Sequence, residues 1–259
     1  MQRNEKNGVV FYQSETLLAF PNLTHGVTTR HGGVSPAPFD TLNLSAHVGD
    51  TPERVQENLE RLHRALELDR ANTVDASQAQ ADRVARVTAR ERGTRIQNVD
   101  GLITNERGVT LMLRFADCVP ILLYDPTHQA IGIAHAGWRG TVAHVLTHTV
   151  NALRATFDSE PRELIACIGP SIGPCCYEIG ADVIAQVERA FPDTCEMMLR
   201  KNGAAHLNLW DANAVQLRAL GVQQIEIAGV CTADHTHDFY SWRRENATTG
   251  RFAALIALR

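Results

Sequence analysis

The sequence has no Cys-x-x-Cys pair, no marked excess of one charge, no low-complexity tract and no apolar run long enough to cross a bilayer. Each absence removes a class of protein. Without Cys-x-x-Cys there is no zinc knuckle. A formal charge of −4 gives no general field for a phosphate backbone, so nucleic acid is not an expected partner. No membrane span is expected either. Met1 to Gly8 is polar and lacks the apolar segment and small-residue cleavage site of a secretory signal, which makes the cytoplasm the expected compartment. The six cysteines, at 118, 167, 175, 176, 195 and 231, then read as thiols rather than a disulfide framework. Nothing marks an internal boundary: no repeat and no Pro/Gly/Ser linker, so residues 1–259 are expected to form a single domain.

What is present is an ordinary globular composition, 44% hydrophobic and 21% charged over 259 residues, enough for a substantial core. After an N-terminal hairpin-like region, Thr51 is a good N-cap and Pro52 a good first helical residue. Val55, Leu59, Leu62 and Leu66 then recur at helical spacing. Strands are expected at Thr110–Leu113, Val119–Tyr124, Ala130–Ala134 and Leu164–Ile168, with two more at Gln224–Ala228 and Phe252–Leu258. Helices are expected at Thr141–Phe157, Ala181–Phe191 and Trp210–Leu220. The alternation predicts an α/β fold, one mixed β-sheet flanked by helices. Strand order does not follow from the pattern.

Candidate chemistry falls at strand ends. Ala116-Asp117-Cys118 and, one strand later, Ala134-His135-Ala-Gly-Trp-Arg-Gly140 bring a thiol and an imidazole to neighbouring ends. Cys and His suit zinc, and three protein ligands with an open fourth position make a catalytic site. From spacing alone, the better reading is that Cys118 is a buried core thiol and His135 a hydrogen-bonded strand-end residue. Gly137-Trp-Arg-Gly140 leads into a helix, so backbone N–H groups and Arg139 could hold an anion, and Arg30-His-Gly-Gly33 could add a second set of backbone donors. Those glycines serve tight turns just as readily. Aromatic residues are only 6% of the chain, so Tyr240 and Trp242 stand out as surfaces for a planar base, beside Arg243, Arg244 and Arg251 as candidate phosphate contacts.

Taken in order, these segments resemble the laccase-domain family, also labelled multicopper polyphenol oxidase or peptidoglycan-editing factor, with purine nucleoside phosphorylases among its members. The resemblance runs from Thr29-Arg-His-Gly-Gly-Val-Ser35 and Asn43-Leu-Ser-Ala-His-Val-Gly-Asp50, through the Cys118 and His135 motifs and Gly169-Pro170, to Tyr240-Ser-Trp-Arg-Arg244 and Thr248-Thr-Gly-Arg251. It implies a reaction centre at Cys118, His135 and Asp117, with substrate contacts from Arg30, Asn43, His47 and Arg139 and from Tyr240, Arg243 and Arg251. The implied reaction is phosphorolysis of adenosine, inosine, guanosine or methylthioadenosine, with adenosine deamination in some members. The implied partners are therefore a nucleoside and phosphate.

The resemblance also implies a zinc ion held by one cysteine and two histidines. Here the chain departs from the pattern: where the family has Gln-Val-His-Gly it reads Gln78-Ala-Gln-Ala81, so Gln80 stands at the second histidine position beside Cys118 and His135. An amide oxygen is a much poorer zinc donor than imidazole. Copper(II) could occupy the remaining Cys–His pair in vitro, but a multicopper oxidase needs about ten imidazoles, mostly in His-x-His pairs, and only His235-Thr-His237 forms one. Two other readings stay open at this point, a hydrolase editing cell-wall precursors and a nucleoside-binding module that has lost its metal ligand. Oligomeric state is not legible.

Overall fold

The computed structural model describes Met1 to Arg259, except for the side chains of residues 197, 200, 201 and 202. It confirms a mixed α/β fold and corrects the number of sheets. Instead of one large sheet there are two, and they pack face to face. The first runs in the order Gln2–Lys6, Val9–Gln13, Leu23–Thr28, Phe252–Leu258, Thr110–Phe115, Thr73–Ser77, Arg95–Gln97. The second runs Gln224–Ile227, Ile165–Ile168, Val119–Asp125, Ala130–Ala136, Gly101–Thr104, Val84–Arg86. Each mixes parallel and antiparallel pairs.

The two-residue period of a strand explains the layers. Leu111 and Leu113 of the first sheet and Leu122, Ile131 and Ile133 of the second share one apolar cluster, the core between the sheets. The alternate residues Ile121, Leu123, Ala130 and Ala134 face away from it and pack on Val145, Leu146, Val150 and Leu153 of the helix Val145–Phe157. On the outer face of the first sheet, Phe11, Met112 and Leu255 meet Leu62 and Leu66 of the helix Pro52–Leu66. The central strands are covered on both sides, which is why they read as unbroken apolar runs.

Local chemistry sets the element boundaries. Asn7-Gly8, both with positive φ, closes the N-terminal hairpin. Thr51 accepts a hydrogen bond from the Arg54 N–H as the predicted N-cap of Pro52–Leu66. The helix expected over Thr141–Phe157 is two helices, Trp138–Val142 and Val145–Phe157, because His144 between them takes a left-handed conformation (φ 59°) that interrupts the helical hydrogen bonds. The later helices lie within a residue of expectation, at Ala181–Ala190 and Leu209–Ala219. Among the described residues, no helix is long and apolar enough to cross a membrane.

Candidate active site

Cys118 lies where the chain leaves the first sheet at Phe115 and enters the second at Val119. Asp117 makes that crossing in a left-handed conformation, φ 85°, which is strained for a residue with a side chain. Its carboxylate holds the turn in place: Oδ1 accepts from the Thr232 hydroxyl at 2.7 Å and Oδ2 from the Arg243 N–H at 2.7 Å. Burial raises the Asp117 pKa, partly offset by these donors. Both carboxylate oxygens are thus committed to holding the turn that carries Cys118. Across from it, a Cβ on Gly137 would sit 2.8 Å from the Cys118 sulfur, so only glycine leaves room for the thiol there.

His135 is the penultimate residue of Ala130–Ala136, directly across from Pro120 in the adjoining strand. Its N–H donates to the Asp100 carbonyl at 2.7 Å, and its ring Nδ1 lies 2.7 Å from Asp100 Oδ1. The same carboxylate accepts the N–H groups of Ala79, Gln80 and Ala81 at 3.0, 3.1 and 2.9 Å. One buried acid thus fixes the imidazole and shapes the loop that carries Gln80. With Nδ1 on Asp100, Nε2 is left for Cys118 and the cavity. Burial alone would disfavour a charged ring, but the Cys118 sulfur and the Asp100 hydrogen bond outweigh it and push the His135 pKa up to about 9.

These groups open on a cavity of about 560 Å³, within the range that holds a small-molecule ligand. Of the residues singled out in the sequence, the cavity brings together Asp117, Cys118, His135, Gln80 and His47 with Arg139, Arg243 and Arg251. Arg251 is the distinctive cation. It is part-buried, it donates to the carbonyls of Thr249 and Gly250 at 3.0 and 2.8 Å, and no carboxylate pairs with it among the described residues. Burial lowers its pKa, and Cys118 and Asp117 oppose that shift. Arg139 stacks over Trp138, 4.4 Å from the ring centre, and Arg243 over Tyr177 at 5.0 Å.

Three expected contacts are elsewhere. Tyr240 is fully buried, its hydroxyl donates to the Phe39 carbonyl at 2.8 Å, and it cannot stack on a base. Arg30 lies over the Tyr240 ring at 4.6 Å, with its guanidinium taken by Glu245, Asp40 and the Thr236 carbonyl. Asn43 is buried as a loop brace: its amide donates to Asp50, and its oxygen accepts the Arg251 N–H at 2.9 Å. The glycine loop is likewise closed to ligand, because the N–H of Gly33 meets the Thr41 hydroxyl and that of Val34 meets Asn58 Oδ1. Trp242, half exposed at the cavity, is the aromatic surface that Tyr240 is not.

Asp100 and the pair Arg95 and Arg114 went unnoticed in the sequence. Both arginines line the cavity and share Asp75, at 2.8 and 2.7 Å. Their positions follow from sheet pairing, which no local motif encodes. For Asp100 the one sequence signal was a carboxylate directly before the apolar strand Gly101–Thr104.

The donor set for a metal is incomplete at this cavity. Cys118 and His135 supply two good donors. Gln80 presents an amide oxygen that already accepts from Arg139 at 3.3 Å, and His47 Nε2 is 2.7 Å from an Arg95 guanidinium nitrogen. These residues do not fit a three-ligand zinc centre. Groups of three potential ligands occur elsewhere among the described residues, at Cys175, Cys176 and Cys231 and at Asp125, His128 and Glu163.

The chain has close relatives over nearly its whole length. The chain is 34% identical over 255 residues to a purine nucleoside phosphorylase of Bacteroides thetaiotaomicron, covering 94% of each. It is 38% identical to purine nucleoside phosphorylase YlmD of Geobacillus stearothermophilus, covering 93% of this chain and 92% of the relative. The crystal structure of that YlmD superposes with a TM-score of 0.93 at 36% identity, over 99% of this chain and 98% of the other. A hypothetical protein YfiH of Bacillus licheniformis superposes at 0.92 with 33% identity, over 98% of both chains. The family's copper label suggests metal binding without establishing which metal. Residues 24–259 match the family described as multi-copper polyphenol oxidoreductase laccase, and the chain belongs to that laccase-domain family.

Proposed function

We propose that the protein is a purine nucleoside phosphorylase, splitting adenosine, inosine, guanosine or methylthioadenosine with inorganic phosphate. The observation that carries the reading is the part-buried Arg251 cation, without a carboxylate partner among the described residues, facing the cavity beside Cys118 and the Asp100–His135 pair. A part-buried cation in that state is stabilised by a bound anion. Relatives named purine nucleoside phosphorylase at 34% and 38% identity support the same reading.

In the reaction, a phosphate oxygen bonds to ribose C1′ as the C1′–N9 bond breaks, and the electron pair of that bond leaves with the purine. Arg251 and Arg139 hold the phosphate. The purine lies against Trp242 and Tyr177. A proton on His135 Nε2, held there by Asp100 on Nδ1, neutralises the departing base. Cys118 borders the imidazole and favours its charged form. No step runs through a metal. Adenosine deamination is different, because it needs a metal-activated hydroxide at C6. With Gln80 in place of the third donor, deamination is expected to be weak beside phosphorolysis.

The test is the dependence of inosine turnover on phosphate. Arg251→Ala is expected to raise the phosphate KM about tenfold or more, with Arg139→Ala giving a smaller rise and the nucleoside KM nearly unchanged in both. Phosphate dependence unaltered in both variants would overturn the anion assignment. Inosine binding without turnover at any phosphate concentration would instead favour a binding module, the reading that Gln80 supports.

A further inference from the structure

We propose a metal site, outside the cavity, in which Cys175, Cys176 and Cys231 bind one soft, thiolate-seeking cation of the Zn²⁺ or Cu⁺ class. The three sulfurs lie within 4.8 Å of one another. They come from two loops that touch. One is the turn after the strand Ile165–Ile168, where Cys176 and Tyr177 donate their N–H groups to the Gly173 carbonyl at 3.0 Å. The other is the turn opened by Cys231, whose carbonyl accepts from the Asp234 and His235 N–H groups at 3.2 and 2.9 Å.

The approach of the loops is fixed before any ion arrives. A bridge pairs Ser171 with Cys231, the Gly173 N–H donates to the Cys231 sulfur at 3.2 Å, and a Cβ on Gly173 would lie 2.7 Å from Trp210 and 3.1 Å from the Cys231 Cβ. Such a preformed cluster spares the ion the entropy of gathering its ligands. The burial gradient is also that of a site with an entrance: Cys231 is buried, Cys176 half-buried and Cys175 exposed. None of the three sulfurs has a disulfide, and the cavity chemistry uses none of them.

The donors select the ion. Three sulfurs are soft ligands that favour Zn²⁺ and Cu⁺ over Mg²⁺ or Ca²⁺. On binding, each thiol releases one proton to solvent, so uptake weakens as pH falls. The turn also carries Ile172 and Tyr177 to the cavity wall, so an ion here would brace that wall from behind.

The site is tested on the full-length chain carrying Cys118→Ser, which removes the thiol of the cavity, after reduction and removal of metal. Zn²⁺ and Cu⁺ are titrated separately under anaerobic conditions against a competing chelator, while reactive thiols are counted. One equivalent of either ion, with three thiols protected, is expected, and the tighter arm identifies the ion. Cys175→Ser, an exposed and structurally mild change, should weaken binding at least about tenfold, and Cys231→Ser should do the same if it folds. The proposal fails if Cys118→Ser protein binds neither ion, or if Cys175→Ser binds as tightly as its parent. It fails equally if the freshly purified protein has lost two thiols that dithiothreitol restores, since the cluster would then be a redox pair.

Discussion

Two regions of this molecule carry equally conspicuous motifs and do different work. The glycine loop Arg30–Ser35, with the Tyr240 segment that packs on it, is sealed: Arg30 pairs with Glu245, the Tyr240 hydroxyl donates to the Phe39 carbonyl, and Thr41 and Asn58 accept the Gly33 and Val34 N–H groups. Gly250 is there because a Cβ would come within 2.7 Å of the Tyr240 ring. The strand ends at Cys118 and His135 have partners on the protein side only, and their remaining valences face the cavity. A recurring motif therefore marks a place where the chain has few alternatives, whether the constraint is packing or chemistry. Counting which polar groups are already satisfied separates the two.

That contrast can be sharpened by substitution. The largest expected effect is on the open side. Asp100→Asn frees the imidazole and loosens the Gln80 loop, and should lower kcat by about 10²–10³, with His135→Ala at least as severe. Steady-state kinetics on correctly folded protein provides the check. On the sealed side the sign of the experiment reverses. Arg30→Ala should cost about 3 kcal/mol of stability, because Glu245 and Asp40 lose a nearly buried cation, while kcat/KM per folded molecule stays close to the parent value. A large loss of activity at unchanged stability would dissolve the distinction between the regions.

His25 offers a comparison away from both. Burial pushes its pKa down to about 4, its Nε2 accepts the Ser14 N–H at 2.9 Å, and its Nδ1 is buried without a partner among the described residues. The folded state therefore favours the neutral ring. Its contribution is complete above the unfolded pKa near 6.5 and is lost as pH falls from there to about 4, up to about 3 kcal/mol in all. Thermal melts of the parent should show this loss across that window. Melts of His25→Gln, which keeps an acceptor for Ser14, should be flatter. The smallest effect belongs to Tyr240→Phe, which removes one buried hydrogen bond for about 1 kcal/mol and leaves turnover unchanged.

Much of this was legible in the chain. Short unbroken apolar runs located the central strands, and helical spacing located Pro52–Leu66 and the helices near 181 and 209. The Cys118 and His135 motifs located the cavity, because both sit at ends of adjoining strands that open on it. The split into two sheets was not legible, because Phe115 and Val119 are only a turn apart in sequence yet belong to different layers. Nor was the placement of Arg95 and Arg114 at the cavity or of Asp100 behind His135, each set by pairing between strands distant in sequence. Tyr240 and Arg30 failed for a further reason: residue type suggests what a side chain can bind, but not that a neighbour already occupies it.

The most direct test of the central claim is product analysis with inosine, on protein whose metal content has been measured, with and without phosphate. The account predicts hypoxanthine and ribose 1-phosphate in equal amounts, formed only when phosphate is present and without need of stoichiometric zinc. Free ribose in place of ribose 1-phosphate, or turnover that appears only when Gln80→His restores a bound metal, would contradict it.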